Sequence, residues 1–190
     1  MKIRTNMMKI AGIDYSLRGP AICVFEGSKK FTFKDCKFYY LTHVKKREGQ
    51  VLKNIRGDLF DEYTHESQRY DQISQWALTI VRSCEVACIE DYAYNARGKI
   101  FNIGENTGLL KWKMWRNDLP FETVPPAMVK KFGAGRGNAK KEEMHQAFVN
   151  ETGVNLHSVL TPDTNSIKNP VSDIVDAYYI CKYLHNSLNS

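Results

Sequence analysis

Apolar runs that end in acids punctuate this chain. Residues 8–15 (Met-Lys-Ile-Ala-Gly-Ile-Asp-Tyr) read as a buried strand closing on Asp14, and residues 20–26 as a second strand turning at Gly27-Ser28. Residues 30–42 alternate in polarity through Phe31, Phe33, Phe38 and Tyr40, the pattern of one or two half-buried strands. An antiparallel meander is therefore expected at the start. Residues 43–66 are polar, lack periodicity and carry Lys45-Lys46-Arg47; they are expected to form a mobile, basic surface excursion. From Gln68 onward Ile73, Trp76, Ala77, Ile80 and Val81 recur at helical spacing. Val86 to Ile89 is then a short buried strand ending in Glu90-Asp91.

Residues 101–116 read as a helix with Gly104, Gly108, Trp112 and Trp115 near one face, suited to a core or a dimer interface. Phe121 to Val124 reads as a strand closed by Pro125-Pro126. A helix from about Asn138 to Asn150 turns Met144, Ala147 and Phe148 inward and stops at Gly153. The last helix runs from Val171 to about His185, capped near Pro170. The order β-β-β-α-β-α-β-α-α predicts an α/β fold: a mixed central sheet, three antiparallel strands followed by two parallel ones, with helices on both faces.

Composition narrows the class. A chain of 190 residues, 43% hydrophobic and 25% charged, suits one domain spanning 1–190 and excludes a disordered protein. No apolar run is long enough for a membrane span, and the N-terminus lacks the pattern of a signal peptide. The cysteines Cys23, Cys36, Cys84, Cys88 and Cys181 are odd in number and form no C-x-x-C pair. Buried free thiols in a reducing, cytoplasmic compartment fit them better than disulfides or a zinc site at Cys84 and Cys88. The five histidines lack ligand spacing. A formal net charge of +6 suits a polyanionic partner without demanding one.

Acids stand where acids are costly. Asp14 and Glu90 end strands expected at the centre of the sheet, and Asp173 and Asp176 share one face of the last helix beside its apolar stripe. Carboxylates gathered without countercharge raise one another's pKa, and a divalent cation is the usual remedy. Hard ions such as Mg²⁺ prefer carboxylate oxygen, and a pair of them can clamp a phosphodiester for in-line attack. Taken singly, Asp14 could cap a turn, Glu90 could be a solvated strand end, and Asp173 could favour a helix N-terminus. Together, in strand–strand–helix order, they point to a metal site.

These residues resemble a known family. Gly12-Ile13-Asp14, Ile89-Glu90 and Asp173-x-x-Asp176-Ala177 are similar to the motifs of the RuvC-type Holliday junction resolvases, within the RNase H-like (retroviral integrase) superfamily. Pro126 to Lys130, then Gly135-x-Gly137-x-Ala139-x-Lys141, and Asn102-Ile103-Gly104 with Gly108, are in the same register. The resemblance spans about residues 8 to 185. It implies an RNase H-like fold and a homodimer that binds a four-way DNA junction and nicks strands of like polarity. Mg²⁺, with Mn²⁺ as a substitute and two ions per site, would be the cofactor. Asp14, Glu90, Asp173 and Asp176 would be the metal-binding carboxylates, and Lys130 and Lys141 would contact phosphate near the scissile bond. Departures exist: Tyr15-Ser16 replaces the family's Pro-Gly, and Ala93, flanked by Tyr92 and Tyr94, stands where some members place an aromatic.

The run 130–141 also holds Lys131, Arg136 and Lys140 among glycines that let backbone amides approach phosphate; a solvated loop is the plainer reading. Tyr92, Tyr94, Arg97 and Lys99 could stack on or steer displaced bases, or be ordinary loop residues. Rival functions keep the fold and change the substrate to flaps, forks or RNA–DNA hybrids, or drop catalysis for branched-DNA binding alone.

Overall fold

Apolar runs buried on both faces form β1 (Met8–Asp14), β2 (Ala21–Gly27) and β3 (Cys36–Thr42), which lie side by side as an antiparallel meander. The computed structural model describes residues 7–91 and 100–190. After helix α1 (Glu66–Val81), β6 (Val86–Glu90) pairs parallel to β1. After helix α2 (Ile100–Arg116), β7 (Phe121–Val124) pairs parallel to β6. The expected three antiparallel and two parallel strands are all present.

Residues 43–66 add more than the expected irregular excursion. They hold a 3-10 turn over 45–47 and two strands, β4 (Gly49–Leu52) and β5 (Ile55–Leu59), with β5 parallel to β3. The sheet therefore has seven strands in the order β4-β5-β3-β2-β1-β6-β7. Both strands are short and lie at one edge, and of their side chains only Ile55 is fully buried, so they carry little alternation to read. Pro125-Pro126 does more than close β7. It opens a helix, α3 (Pro126–Ala134), because proline at the first helical position loses no hydrogen bond there. Helix α4 (Lys141–Thr152) starts three residues later than expected, where the Glu143 carboxylate accepts from the Lys140 amide at 2.8 Å. A short helix, α5 (Leu156–Leu160), follows, and α6 (Val171–Leu188) continues past His185.

The helices divide between the two faces. Ile10, Cys23, Phe25 and Phe38 pack with α6 and with residues of α3 and α4. Ala11, Ile13, Ile22 and Val24 pack on the other face with residues of α1 and α2. At Gly12 helix and strand nearly touch: a methyl group there would lie 2.2 Å from the Cys181 amide nitrogen and 2.6 Å from the Ala177 carbonyl oxygen. Only glycine allows α6 to lie so close to β1. All five cysteines are buried and free. Among the described residues no helix is long and apolar enough to cross a membrane.

Candidate active site

In the parallel β1–β6 pair Ile13 lies beside Ile89, so the next residues, Asp14 and Glu90, leave adjacent strands at the same end of the sheet. Strand alternation sends Ile13 and Ile89 towards α1 and α2, and therefore sends both acids to the α6 face. On that helix Asp173 lies one turn before Ala177, which touches Gly12, and Asp176 immediately precedes it. The close approach at Gly12 thus brings the helical acids to the strand-end acids.

The four carboxylates act on one another. Burial, then Asp173, Glu90 and Asp176, holds the Asp14 carboxyl well above its ordinary range. Burial and Asp176 push Glu90 up to about 8. Burial raises Asp173 to about 7 and Asp176 to about 6, each against the pull of lysine. Lys130 lowers Glu90 and Asp176, while Lys141 lowers Asp14, Asp173 and Asp176. Two lysines do not neutralise four acids in a site that raises all of their pKa values. Lys130, Lys141, Ser172 and Asp176 line a pocket of about 440 Å³, together with Lys140.

Asp173 has supports that the sequence reading missed. Ser172 Oγ lies 3.2 Å from Asp173 Oδ1 and accepts from Lys141 Nζ at 3.2 Å; it also lies 3.4 Å from Asn169 Oδ1. The other oxygen, Asp173 Oδ2, is buried without a hydrogen-bond partner. It faces Gly19, where a methyl group would come within 2.7 Å of it. Ser172 could have been suspected as the neighbour of an acid in the chain, whereas Gly19 gives no sign in sequence of facing residue 173.

Among the described residues no three Asp, Glu, His or Cys side chains are gathered tightly enough, as they stand, to enclose a metal ion. Their chemistry nonetheless fits a hard divalent cation. The donors are all carboxylate oxygens, one of them is buried and unsatisfied, and Gly19 beside it carries no side chain that would press on it.

The other candidates divide. Lys140, just before α4, lines the pocket beside Lys141, whereas Lys131 is exposed and Arg136 is ion-paired with Glu143. Tyr92, Tyr94, Arg97 and Lys99 lie outside the described residues. On α2, Phe101, Trp112 and Trp115 are 82%, 54% and 66% exposed, and nothing lies over Gly104 or Gly108. These five positions form one outward stripe of large and small residues.

No family model matches the sequence, and no curated relative matches it. Solved structures do. RuvC of Thermus thermophilus superposes with a TM-score of 0.61 at 17% identity, covering 96% of both chains. The fowlpox virus resolvase in complex with Holliday junction DNA gives 0.53 at 14% identity over 96% of this chain and all of the other. The yeast mitochondrial Holliday junction resolvase gives 0.51 at 13% identity, over 96% of this chain and 83% of that one. Along nearly its whole length this chain has the RNase H-like fold of RuvC and of the viral and mitochondrial Holliday junction resolvases.

Proposed function

We propose that the protein is a metal-dependent endonuclease that resolves four-way DNA junctions. The observation that carries this reading is the convergence of Asp14, Glu90, Asp173 and Asp176 from three elements, close enough to raise one another's pKa, beside a pocket that Asp176, Lys130 and Lys141 line. Solved structures of the same fold are complexes with junction DNA, those of Thermus thermophilus RuvC and the fowlpox virus resolvase. That supports a branched substrate.

In this reading Asp14, Glu90, Asp173 and Asp176 hold Mg²⁺ or Mn²⁺. Two such ions, when bound, neutralise the phosphate and favour ionisation of water. The unsatisfied Asp173 Oδ2 would be among the oxygens offered to those ions, while Ser172 holds its Oδ1. Lys130 and Lys141 draw the scissile phosphate over the carboxylates and stabilise charge that builds up as the bond breaks. Two copies of the chain, meeting through the exposed face of α2, would place two such sites on strands of like polarity. Lysine-flanked carboxylates have no use in a protein that only binds DNA, because they repel its phosphates.

The test uses an immobile four-way junction, with flaps, forks, duplexes and RNA–DNA hybrids beside it. Paired symmetric nicks in the junction, dependent on Mg²⁺, are expected. Asp14→Asn and Glu90→Gln should each lower cleavage by more than the roughly 10–100-fold cost of losing a supporting group, with junction binding retained. Wild-type rates in either variant would overturn the assignment, and preferential cutting of another substrate would replace the junction.

A further inference from the structure

We infer that the 3-10 turn Lys45-Lys46-Arg47 is a second phosphate-gripping surface, which holds the DNA strand as it leaves the carboxylate pocket on the side away from Lys130. The inference rests on the reading of the site as a DNA-cutting centre and extends it to the path of the substrate.

The turn lies at the same end of the sheet as the acids. It follows the end of β3, and β3 runs antiparallel to β2 and hence in the direction of β1. The Arg47 guanidinium donates to the Asn169 carbonyl at 3.2 Å. Asn169 in turn flanks both Gly19 and Ser172, the two residues that border the Asp173 carboxylate. One residue therefore separates the basic turn from the neighbours of Asp173.

The turn is also fixed in place. Tyr40 Oη donates to the Arg47 carbonyl at 2.8 Å, and that carbonyl sits over Gly57, where a methyl group would approach within 2.2 Å. Lys45 and Lys46 project from this anchored backbone with side chains 79% and 69% exposed. Their partners, Glu48 and Asp163, are exposed acids, and such surface pairs hold their members weakly. A phosphate can therefore displace either acid at small cost.

Position across the sheet completes the case. Lys130, on the helix that follows β7, lies towards one edge, and the basic turn, which precedes β4, lies towards the other. From β1 to β5 is three strand spacings, roughly 14 Å at about 4.8 Å each. That span is about four nucleotide steps at roughly 3.4 Å per step along a duplex. A strand seated over the acids and touching Lys130 on one side would reach Lys45 and Lys46 on the other.

The experiment is junction binding as a function of salt, for the full-length wild type, Lys46→Ala and Asp163→Asn, without divalent ions, with cleavage measured separately at saturating protein. Lys46→Ala should weaken binding about 3- to 10-fold and lower the slope of log affinity against log salt by about 0.9. Asp163→Asn should tighten binding, because it frees Lys46 and removes a charge that repels DNA. The maximal cleavage rate should remain within about two-fold in Asp163→Asn. Both substitutions break the same ion pair, so a purely structural role would move binding in one direction for both. Shifts of the same sign, or no change in affinity or salt slope, would overturn the inference while junction cleavage by the wild type stands. Absence of cleavage by the wild type would instead overturn the reading of the site.

Discussion

Lys141 Nζ donates to Ser172 Oγ at 3.2 Å, and the same hydroxyl lies 3.2 Å from Asp173 Oδ1. A single buried serine thus joins a lysine and a carboxylate from two different helices. Ser172→Ala leaves both ends of the link short of a partner at a cost of about 1 kcal/mol, equivalent to roughly a five-fold loss of cleavage rate. Single-turnover cleavage checks it, and Ser172→Thr, which keeps the hydroxyl, should restore most of the rate.

The carboxylates predict how stability responds to pH. Folding raises Glu90 to about 8, Asp173 to about 7 and Asp176 to about 6, above ordinary values near 4. Between about pH 4 and 8 the folded chain therefore holds more protons than the unfolded one, and its stability falls as pH rises. Thermal unfolding in chelator should give a lower midpoint at pH 8 than at pH 5. Mg²⁺ should raise the midpoint more at pH 8, where protons compete less for the oxygens. A flat profile in chelator would contradict the burial of these acids.

Gly12 predicts a steric failure. In Gly12→Ala the new methyl group meets backbone atoms of α6, which cannot turn aside as a flexible side chain can. We expect a loss of about 3 kcal/mol or more, at or above the upper end of ordinary overpacking costs, read from urea unfolding. Cleavage should fall further than the folded fraction alone requires, because α6 carries two of the four acids.

The outer face of α2 predicts an assembly. Trp115→Glu places a charge among exposed aromatics and should convert a dimer to a monomer in sedimentation, with little change in unfolding midpoint. Paired nicks should give way to single ones. An unchanged sedimentation coefficient would show that this face is not the one that pairs.

Much of this fold was legible because apolar runs of different period are hard to mistake. The β1 and β6 runs announced both their type and the acids at their ends, and the helical stripes of α1 and α6 announced their type. Edge strands β4 and β5 were not legible, since an edge strand buries few residues and shows little alternation. Helix α3 was hidden by a proline pair that both stops a strand and starts a helix. Within the site, Asp14, Glu90, Asp173 and Asp176 stood out because charge at the end of an apolar run is costly. Gly19 and Arg47 did not, because their contacts are with residues more than a hundred positions away.

Helix α6, wedged against β1 at Gly12, has a consequence for biosynthesis. The ribosome delivers Asp14 and Glu90 long before Asp173 and Asp176, and a nascent polypeptide halted anywhere before residue 173 lacks half of the carboxylates. In a nuclease built on these four acids, truncated or incompletely synthesised molecules would be disarmed by construction, and cutting would emerge only once translation has passed that helix and it has docked.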